Sequence, residues 1–361
     1  MVIIKKLTID AVKIPLEKPI PSGKMIIRSA DALLVKLHTN DHIGEGMVFT
    51  LNGTRLLILR DMILSLENLI IGTDVEMSDT FLKQAWSELV FLGQRGIGAI
   101  ALSAIDMALW DLRGKEANQN VSQLLGGSRV SMPMYRSGGL RLSASIDELQ
   151  KEAHDLVSQG FKSIKMSLGS KEIEIDVARV KAVKETIGGE IHLMTDCNQQ
   201  FSVSHAIQLG RELEEFQLAW IEEPIVFHNH DGEAEITKAL DTPIASGENE
   251  FTSLGMIEMI HRKSADILMP DLQRMGGPTE LIKVAHLAME HHIPVAPHLF
   301  TQMSLSLAAA MPNAIYVEYM PWFAPLYQEQ LILDLHGEVP VPSTPGWGFH
   351  FDSTAIKKYA Y

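Results

Sequence analysis

LAWIEEP, residues 218–224, is a short apolar run that ends in two acidic residues and a proline. From about residue 130 onward, similar apolar runs alternate with amphipathic stretches of helical periodicity. The runs that we interpret as strands are SMPMYRSGG (131–139), SIKMSL (163–168), IHLMTDCN (191–198), LAWIEEP (218–224), PIASGE (243–248), ADILMPDL (265–272), IPVAPH (293–298) and AIYVEY (314–319). Eight strands joined by helices predict an α/β fold, a parallel (β/α) barrel whose last strand lacks a convincing following helix.

The sequence before this barrel has a different organisation. Two strand-like segments, Ile3–Pro15 and Ala32–His38, precede the helical text AIALSAIDMALWDLRGK (99–115). We therefore predict an α+β domain over residues 1–128, the barrel over 129–330, and a Pro/Gly-rich C-terminal segment over 331–361.

Composition excludes several classes of protein. The chain has 31 basic and 45 acidic residues, a net charge of −14 and no basic cluster, which disfavours nucleic-acid and anionic-membrane partners. A single cysteine, Cys197, excludes a disulfide scaffold and a cysteine-based metal site. The first residues lack an apolar stretch long enough for a secretion signal, so we expect none there, and the uncharged run Leu299–Val317 is interrupted by polar residues and proline. We expect a cytoplasmic protein that binds a small molecule.

Acidic residues recur at the ends of successive strands. Asp196, Glu222 and Glu248 are each separated by about one strand plus one helix. Active sites of parallel barrels lie at the carboxyl ends of the strands, where three such acids would repel one another unless a cation neutralised them. Three hard oxygen donors without His or Cys suit Mg²⁺ rather than zinc. The alternative is that each acid is a solvated loop residue or a helix cap.

The remaining strand ends supply groups for acid–base chemistry. Asp271 and His298 end consecutive strands, and a carboxylate beside an imidazole fixes its tautomer and raises its basicity. Glu318 would face the same cavity and, if protonated, could hydrogen-bond a substrate carboxylate. Lys165 and Ser167 share one face of their strand. We expect Lys165 to act there as a base or as a fixed positive charge.

Seven motifs, taken in order, resemble the mandelate racemase branch of the enolase superfamily over essentially the whole chain. They are AIDMALWDLRGK (104–115), TDCNQ (195–199), WIEEP (220–224), SGEN (246–249), MPDLQRMGG (269–277), APHLF (296–300) and VEY (317–319). The text around MPDLQRMGG and APHLF is most similar to acid-sugar dehydratases of the galactarate/talarate type. The resemblance implies a capping domain, a (β/α)7β barrel, a C-terminal segment returning to the cap, and a homo-oligomer.

The same resemblance implies roles for individual residues. Asp196, Glu222 and Glu248 would bind one Mg²⁺ per subunit, Asp271 and His298 would form the catalytic dyad, and Glu318 would bind the substrate carboxylate. One departure is informative: where the family has Lys-x-Lys, this chain has Lys165-Met166-Ser167. A racemase needs a base on each face of the planar intermediate, and serine cannot supply the second one.

These features favour an acid-sugar dehydratase. His298 would remove the α-proton, Mg²⁺, Lys165 and Glu318 would stabilise the enediolate, and loss of the β-hydroxyl would give a 2-keto-3-deoxy acid. The alternatives are a racemase or epimerase that uses Lys165 and His298, a metal-binding relative without catalysis, and a barrel without metal. We expect the substrate to contact Asn198, Ser167, Lys24, Arg28 and Tyr135, with Arg136, Ser137 and Arg274 as further candidates.

Overall fold

The computed structural model describes residues 1–22 and 25–361 and consists of a capping domain, a barrel and a C-terminal tail. A three-stranded antiparallel sheet forms the cap, in the order β1 (Lys6–Ser22), β2 (Met25–His38) and β3 (Ile43–Leu51). The helices that follow it are α1 (Leu56–Ser65), α2 (Glu67–Ile70), α3 (Ser78–Glu88), α4 (Ile97–Glu116) and α5 (Val121–Leu124). An α+β cap therefore precedes the barrel, as the fold prediction required.

The third strand of the cap is a feature that the sequence analysis missed. Gly44 and Gly46 lie where β3 crosses helix α4, and a Cβ atom at Gly46 would come within 2.2 Å of the carbonyl oxygen of Ala104. Close backbone packing thus requires glycine in this strand, although glycine is normally depleted in strands. Because of these glycines, β propensity alone does not identify β3 as a strand.

The barrel consists of parallel strands whose C-terminal ends meet at one rim. Its strands are β4 (Ser131–Arg136), β5 (Ser163–Ser167), β6 (His192–Asp196), β7 (Trp220–Glu222), β8 (Ile244–Ser246), β9 (Ile267–Leu268) and β10 (Val317–Tyr319). The segment around Val295 bridges Leu268 on one side and Ala314 on the other, and β10 pairs with β4. This segment is the eighth strand position, so the parallel barrel predicted from the sequence is confirmed.

Seven helices connect the barrel strands. They are α6 (Ile146–Ser158), α7 (Ile173–Ile187), α8 (Val203–Leu213), α9 (His230–Ala239), α10 (Thr252–Arg262), α11 (Pro278–Glu290) and α12 (Thr301–Ala310). Helix α6 begins at a capping box in which Ser145 and Glu148 satisfy each other's backbone N–H groups, and Leu149, Ala153 and Leu156 are its buried face. Pro278 occupies the first turn of α11, where its missing N–H costs no hydrogen bond.

The C-terminal tail joins the barrel to the cap. Strand β11 (Glu338–Pro340) pairs antiparallel with β4, and helix α13 (Ser353–Lys358) follows. The backbone N–H of Tyr361 donates to the carbonyl of Ala11, and that of Lys13 donates to the carbonyl of Tyr359. Buried Asp111 of α4 accepts hydrogen bonds from the backbone of Trp347 in the tail and of Glu45 in β3. Cap, barrel and tail are therefore hydrogen-bonded to one another.

None of the helices within residues 1–22 and 25–361 combines the length and apolarity needed to cross a bilayer. The uncharged run Leu299–Val317 forms the buried helix α12, a turn in which Pro312 is exposed, and the start of β10.

Candidate active site

Strand register places the acidic residues of the barrel at the same rim. Ser167 is aligned with Asp196, and Asp196 with Glu222, along three consecutive parallel strands. A parallel β-bridge pairs Asp271, which follows β9, with His298, which follows the strand segment around Val295. Glu318 is aligned with Tyr135 where the barrel closes. Because parallel strands end together, side chains that lie far apart in sequence surround one cavity.

Lys165 lies at the centre of this arrangement. Its Nζ is 2.5 Å from Oε1 of Glu222, 3.3 Å from Oε1 of Glu318 and 3.7 Å from Oδ2 of Asp196. Burial alone lowers the pKa of Lys165, but the carboxylates of Glu222 and Glu318 outweigh it and raise this pKa well above the ordinary value. The side chain is therefore a fixed cation, and its ammonium hydrogens are directed at protein carboxylates.

Glu222 is held from below as well as from the side. Its Oε2 accepts a hydrogen bond of 3.0 Å from the indole Nε1 of Trp220, two residues earlier on the same face of the strand. Trp220 is fully buried and contacts the rings of Tyr135 and Tyr316 edge-on, at centroid distances of 5.2 and 5.7 Å. This aromatic cluster forms the floor of the site.

Negative charge exceeds positive charge at the rim. Burial raises the pKa of Glu222 to about 8 despite the opposing charge of Lys165, and the carboxylates of Asp196 and Glu248 add to the rise. Burial likewise raises the pKa of Asp196, and Glu248 adds to it. A divalent cation would relieve this repulsion, and clustered carboxylate oxygens are the donors that Mg²⁺ prefers.

The acidic side chains are not, however, drawn together into one ligand set. Among the described residues, no three His, Cys, Asp or Glu side chains are close enough to share a metal ion. Lys165 is the cation between Asp196 and Glu222 in this structure. The residues fit Mg²⁺ by the chemistry of their donors and by their uncompensated charge, rather than by an assembled coordination geometry.

His298 and Asp271 form a hydrogen-bonded pair beside these carboxylates. Nδ1 of His298 lies 2.7 Å from Oδ2 of fully buried Asp271, and its Nε2 lies 3.2 Å from Oε2 of Glu248. Burial alone lowers the pKa of His298, but Glu248, Asp271 and Glu318 outweigh it and raise this pKa to about 9. Asp271 thus engages Nδ1, and Nε2 is the ring nitrogen on the side of Glu248.

Glu318, for which the sequence predicts a hydrogen bond to a substrate carboxylate if it is protonated, lies beside the Lys165 ammonium. Burial raises its pKa, but the charges of Lys165 and His298 outweigh burial and lower this pKa to about 2. Its Oε2 accepts a hydrogen bond of 2.9 Å from the backbone N–H of Leu299. Glu318 is thus placed to accept hydrogen bonds, and its role toward a substrate carboxylate stays a prediction.

Two further groups hold the rim in place. Glu223, in the left-handed region with φ of 39°, accepts hydrogen bonds of 2.8 Å from Gln199 and 2.9 Å from Asn249. The guanidinium of Arg274 donates to the carbonyl of Glu248 at 2.7 Å, and its backbone N–H donates to Oδ1 of Asp271 at 2.8 Å. Arg274, proposed from the sequence as a substrate contact, therefore connects the loops that carry Glu248 and Asp271.

A cavity of about 480 Å³ opens over the rim beside Lys165 and Asp196. Ser137, Ser167 and Asn198 line it, which places these three sequence candidates together at the site.

The other candidate contacts lie elsewhere. Tyr135 is fully buried in the floor with its ring 5.4 Å from Nζ of Lys165, and the side chain of Arg28 is exposed and lies outside the lining. Arg136 stacks its guanidinium on the ring of Tyr319, at 5.6 Å from the centroid. Lys24 lies outside the described residues.

Sequence reasoning missed several residues of the site. Arg141 lines the cavity, Trp220 donates a hydrogen bond to Glu222, and Glu223 accepts one from Gln199. The spacing of Trp220 and Glu222 on one strand could have indicated the hydrogen bond between them. Arg141 lies in the loop after β4, several residues beyond the strand end, and no local sequence pattern identified it as part of the site.

Comparisons with known proteins agree with this architecture. Residues 4–126 match the family model described as mandelate racemase / muconate lactonizing enzyme, N-terminal domain, and residues 148–355 match that of the enolase C-terminal domain-like family. The L-talarate/galactarate dehydratase of Salmonella typhimurium is 34% identical over 289 residues, covering 80% of this chain and 72% of its own length. The 3,6-anhydro-alpha-L-galactonate cycloisomerase of Streptomyces coelicolor is 29% identical over 359 residues, covering 99% of each chain.

A solved structure shows the same fold with ligands. The L-talarate dehydratase of a Polaromonas species, complexed with Mg and L-glucarate, superposes with a TM-score of 0.93 at 31% identity. The match covers 100% of this chain and 98% of that one.

Proposed function

Because this chain belongs to the mandelate racemase / muconate lactonizing enzyme family of the enolase superfamily, we propose that it dehydrates an acid sugar. The proposed reaction removes the α-proton of the carboxylate and then water, giving a 2-keto-3-deoxy acid. The observation that carries this proposal is the His298–Asp271 pair, whose Nε2 is 3.2 Å from Oε2 of Glu248 at the barrel rim that also holds the Lys165 ammonium.

His298 is the proposed base. Asp271 holds Nδ1 at 2.7 Å and so keeps the proton of the neutral ring on that nitrogen, which leaves the lone pair on Nε2 for the substrate. A base must be neutral to act, and Glu248 contributes most to the raised pKa of His298. Reducing the charge of Glu248 therefore favours the active form of the imidazole.

Mg²⁺ is the proposed cofactor, one per subunit, with Asp196, Glu222 and Glu248 as its ligands. When bound, it supplies positive charge that offsets the surplus of carboxylates and stabilises negative charge developing on the substrate carboxylate. The excess of acidic groups at the rim supports this assignment, as do the Mg complexes of structural relatives.

Lys165 is proposed as an electrostatic group rather than a base. Its Nζ contacts Glu222, Glu318 and Asp196, so it is held as an ammonium and has no free lone pair to accept a proton. It can stabilise the enediolate by charge alone. With Ser167 beside it, the face opposite His298 offers no basic group from this strand, which favours dehydration over racemisation.

Loss of water needs one proton at the leaving group. After deprotonating the α-carbon, His298 is an imidazolium and can return that proton to the β-hydroxyl as the C–O bond breaks. The released water carries the proton, and the resulting enol tautomerises to the 2-keto-3-deoxy acid. A single residue thus serves as base and then as acid, so the chemistry balances without a second lysine.

A second candidate is a cycloisomerase, in which the leaving group is a ring oxygen rather than a hydroxyl. The Streptomyces coelicolor cycloisomerase matches 99% of this chain, which is the specific reason to retain the possibility. Both reactions begin with the same proton abstraction. They differ in mass balance, since cycloisomerisation releases no water.

The test is turnover of a panel of mono- and diacid sugars, their lactones and their anhydro acids with Mg²⁺ in D₂O. Proton NMR follows α-proton exchange, and mass spectrometry distinguishes loss of water from isomerisation. We expect wild type to form a 2-keto-3-deoxy acid and His298→Asn to lose at least about 1,000-fold in kcat, the range of general-base contributions. Full turnover by His298→Asn would refute the proposal, and a product of unchanged mass would establish the cycloisomerase.

A further inference from the structure

Arg141 lies where the active-site cavity adjoins a second cavity. The second cavity, of about 870 Å³, lies among the cap strand β1, helix α6 and the segment Pro321–Leu326. Gly138, Arg141, Ser143 and Trp322 line both cavities, whereas Lys165 and Asp196 line the inner one alone. Arg141 therefore marks the side of the active-site cavity that faces away from the proposed metal ligands.

The guanidinium of Arg141 has no carboxylate partner within the described part of the chain. The arginines that pair with a carboxylate there are Arg60, Arg179, Arg262 and Arg274. The hydrogen bond that Arg141 makes through its side chain is a long one, 3.4 Å from Nε to the carbonyl of Gly138. Asp196 lines the inner cavity and Glu17, Glu148, Glu152 and Asp155 line the outer one, but among the described residues none of these carboxylates forms an ion pair with the half-buried Arg141 guanidinium.

The loop that carries Arg141 is fixed by the protein. Arg179, a buried residue of helix α7, donates hydrogen bonds of 2.8 Å to the carbonyl of Arg141 and 2.7 Å to that of Ala144. On the other side, the backbone N–H of Ser167 donates to the carbonyl of Leu140 at 3.1 Å. The position of Arg141 relative to strand β5 is therefore set before any ligand binds, which lowers the entropic cost of using it.

Within residues 1–22 and 25–361, the rest of the inner-cavity lining offers no second free cation at that side. Its wall includes Ile20, Ile27, Leu142, Met320 and Trp322, and its remaining polar groups away from Lys165 and Asp196 are hydroxyls and amides. Lys165, the other cation in the lining, is committed to Glu222 and Glu318. Of the cations that line this cavity in the described part of the chain, Arg141 is thus the one that remains available to an anionic ligand group.

We propose that Arg141 binds a second carboxylate at the far end of the substrate, so that the substrate is a diacid sugar (an aldarate) rather than a monoacid (an aldonate). This inference rests on the proposed function, because it assumes that the reacting carboxylate lies beside Lys165. A planar guanidinium can donate two parallel hydrogen bonds to a carboxylate, and an apolar wall strengthens them by excluding water. A terminal hydroxyl would leave the guanidinium without a charged partner.

The experiment compares matched acids that differ at the far carbon alone: galactarate with D-galactonate, and D-glucarate with D-gluconate, within a panel of the other hexarates and hexonates. Wild type, Arg141→Gln and the charge control Arg60→Gln, on the exposed surface of α1, are assayed with Mg²⁺. We expect wild type to prefer a diacid at least about 10-fold in kcat/KM. Arg141→Gln should lose about 10- to 100-fold on that diacid and less than about threefold on monoacids, while Arg60→Gln stays at the wild-type level.

A second readout is equilibrium binding to variants that cannot turn over. With Mg²⁺ and His298→Asn as background, the Kd of the preferred diacid should rise about 10- to 100-fold on adding Arg141→Gln. Dehydration of monoacids as fast as diacids, or an Arg141→Gln variant that binds and turns over the diacid like wild type, would overturn this inference and leave the dehydratase standing. Absence of both α-proton exchange and product with every acid would overturn the proposed function and this inference together.

Discussion

The indole Nε1 of Trp220 donates a hydrogen bond to Oε2 of Glu222, and both side chains are fully buried. The other oxygen of Glu222 is 2.5 Å from the Lys165 ammonium. The two partners therefore fix the plane of this carboxylate from below and from the side. An acidic group buried among other acids needs such donors, because a carboxylate oxygen without a partner costs free energy in the interior.

The Trp220–Glu222 contact predicts an effect on metal binding. Trp220→Phe keeps the ring in the floor of the barrel but removes the N–H, which leaves Oε2 of Glu222 without its donor. We expect the Kd for Mg²⁺, measured by isothermal titration calorimetry, to rise about 5- to 10-fold, corresponding to the net worth of one hydrogen bond.

Trp110→Phe provides the matched control. Trp110 also donates its indole N–H, in this case to Thr279 at the junction of helices α4 and α11, neither of which carries a proposed metal ligand. Loss of this hydrogen bond in Trp110→Phe should lower the free energy of unfolding by about 1 kcal/mol and leave the Mg²⁺ affinity unchanged. Equal Mg²⁺ affinity in Trp220→Phe and wild type would show that the hydrogen bond does not prepare Glu222 for a metal.

The fold and the rim residues were accessible from the sequence for a specific physical reason. Parallel strands that are buried on both faces have continuous apolar runs, and polar residues stand at or near the end of each run here. The polar residues Asp196, Glu222 and His298 therefore marked the strand ends at the barrel rim. The barrel was correctly predicted because its strand pattern and its functional pattern coincide.

The missed features depend on contacts between distant segments. Strand β3 was not recognised because Gly46 is selected by the approach of α4, a contact that local propensity does not encode. The ion pairs of Lys165 join strands that are 57 and 153 positions away, and no local pattern shows that its ammonium is engaged. Arg141 owes its position to Arg179 on another helix, so its place beside the cavity emerges from the folded chain alone.

His230 predicts a pH dependence of stability. Its Nδ1 lies 3.2 Å from Oε2 of Glu233 and its Nε2 lies 3.3 Å from Oε1 of Glu250, both buried acids. Hydrogen bonds to Glu233 and Glu250 raise the pKa of His230 from 6.5 to about 9, outweighing burial. Since the folded state binds this proton more tightly, the stabilisation is fully present below about pH 6.5 and is lost as pH rises through 9.

His230→Gln isolates this contribution. The difference in free energy of unfolding between wild type and His230→Gln, from urea titrations at pH 6 and pH 9.5, should shrink by roughly 1–3 kcal/mol at the higher pH. Other groups that titrate in this range are present in both proteins and cancel in the difference. A difference that is constant between the two pH values would show that His230 is not held as a cation by Glu233 and Glu250.

Ser167 predicts which stereoisomers the protein can process. Its side chain lines the cavity on the same strand face as Lys165, and Lys165 is engaged by carboxylates, so a proton pointing away from His298 meets no free base from strand β5. Wild type should exchange the α-proton of one C2 epimer of an acid sugar and leave the other epimer unchanged, as followed by proton NMR in D₂O.

Introducing a base at this position should remove the restriction. We expect Ser167→Lys to exchange the α-proton of the second epimer, because an amine of lysine length would reach into the cavity that Ser167 lines. Ser167→Met fills similar space without a basic group and is expected to show no such exchange. If wild type already exchanged both epimers, a base outside strand β5 would act on that face, and the preference for dehydration over epimerisation would lose its structural reason.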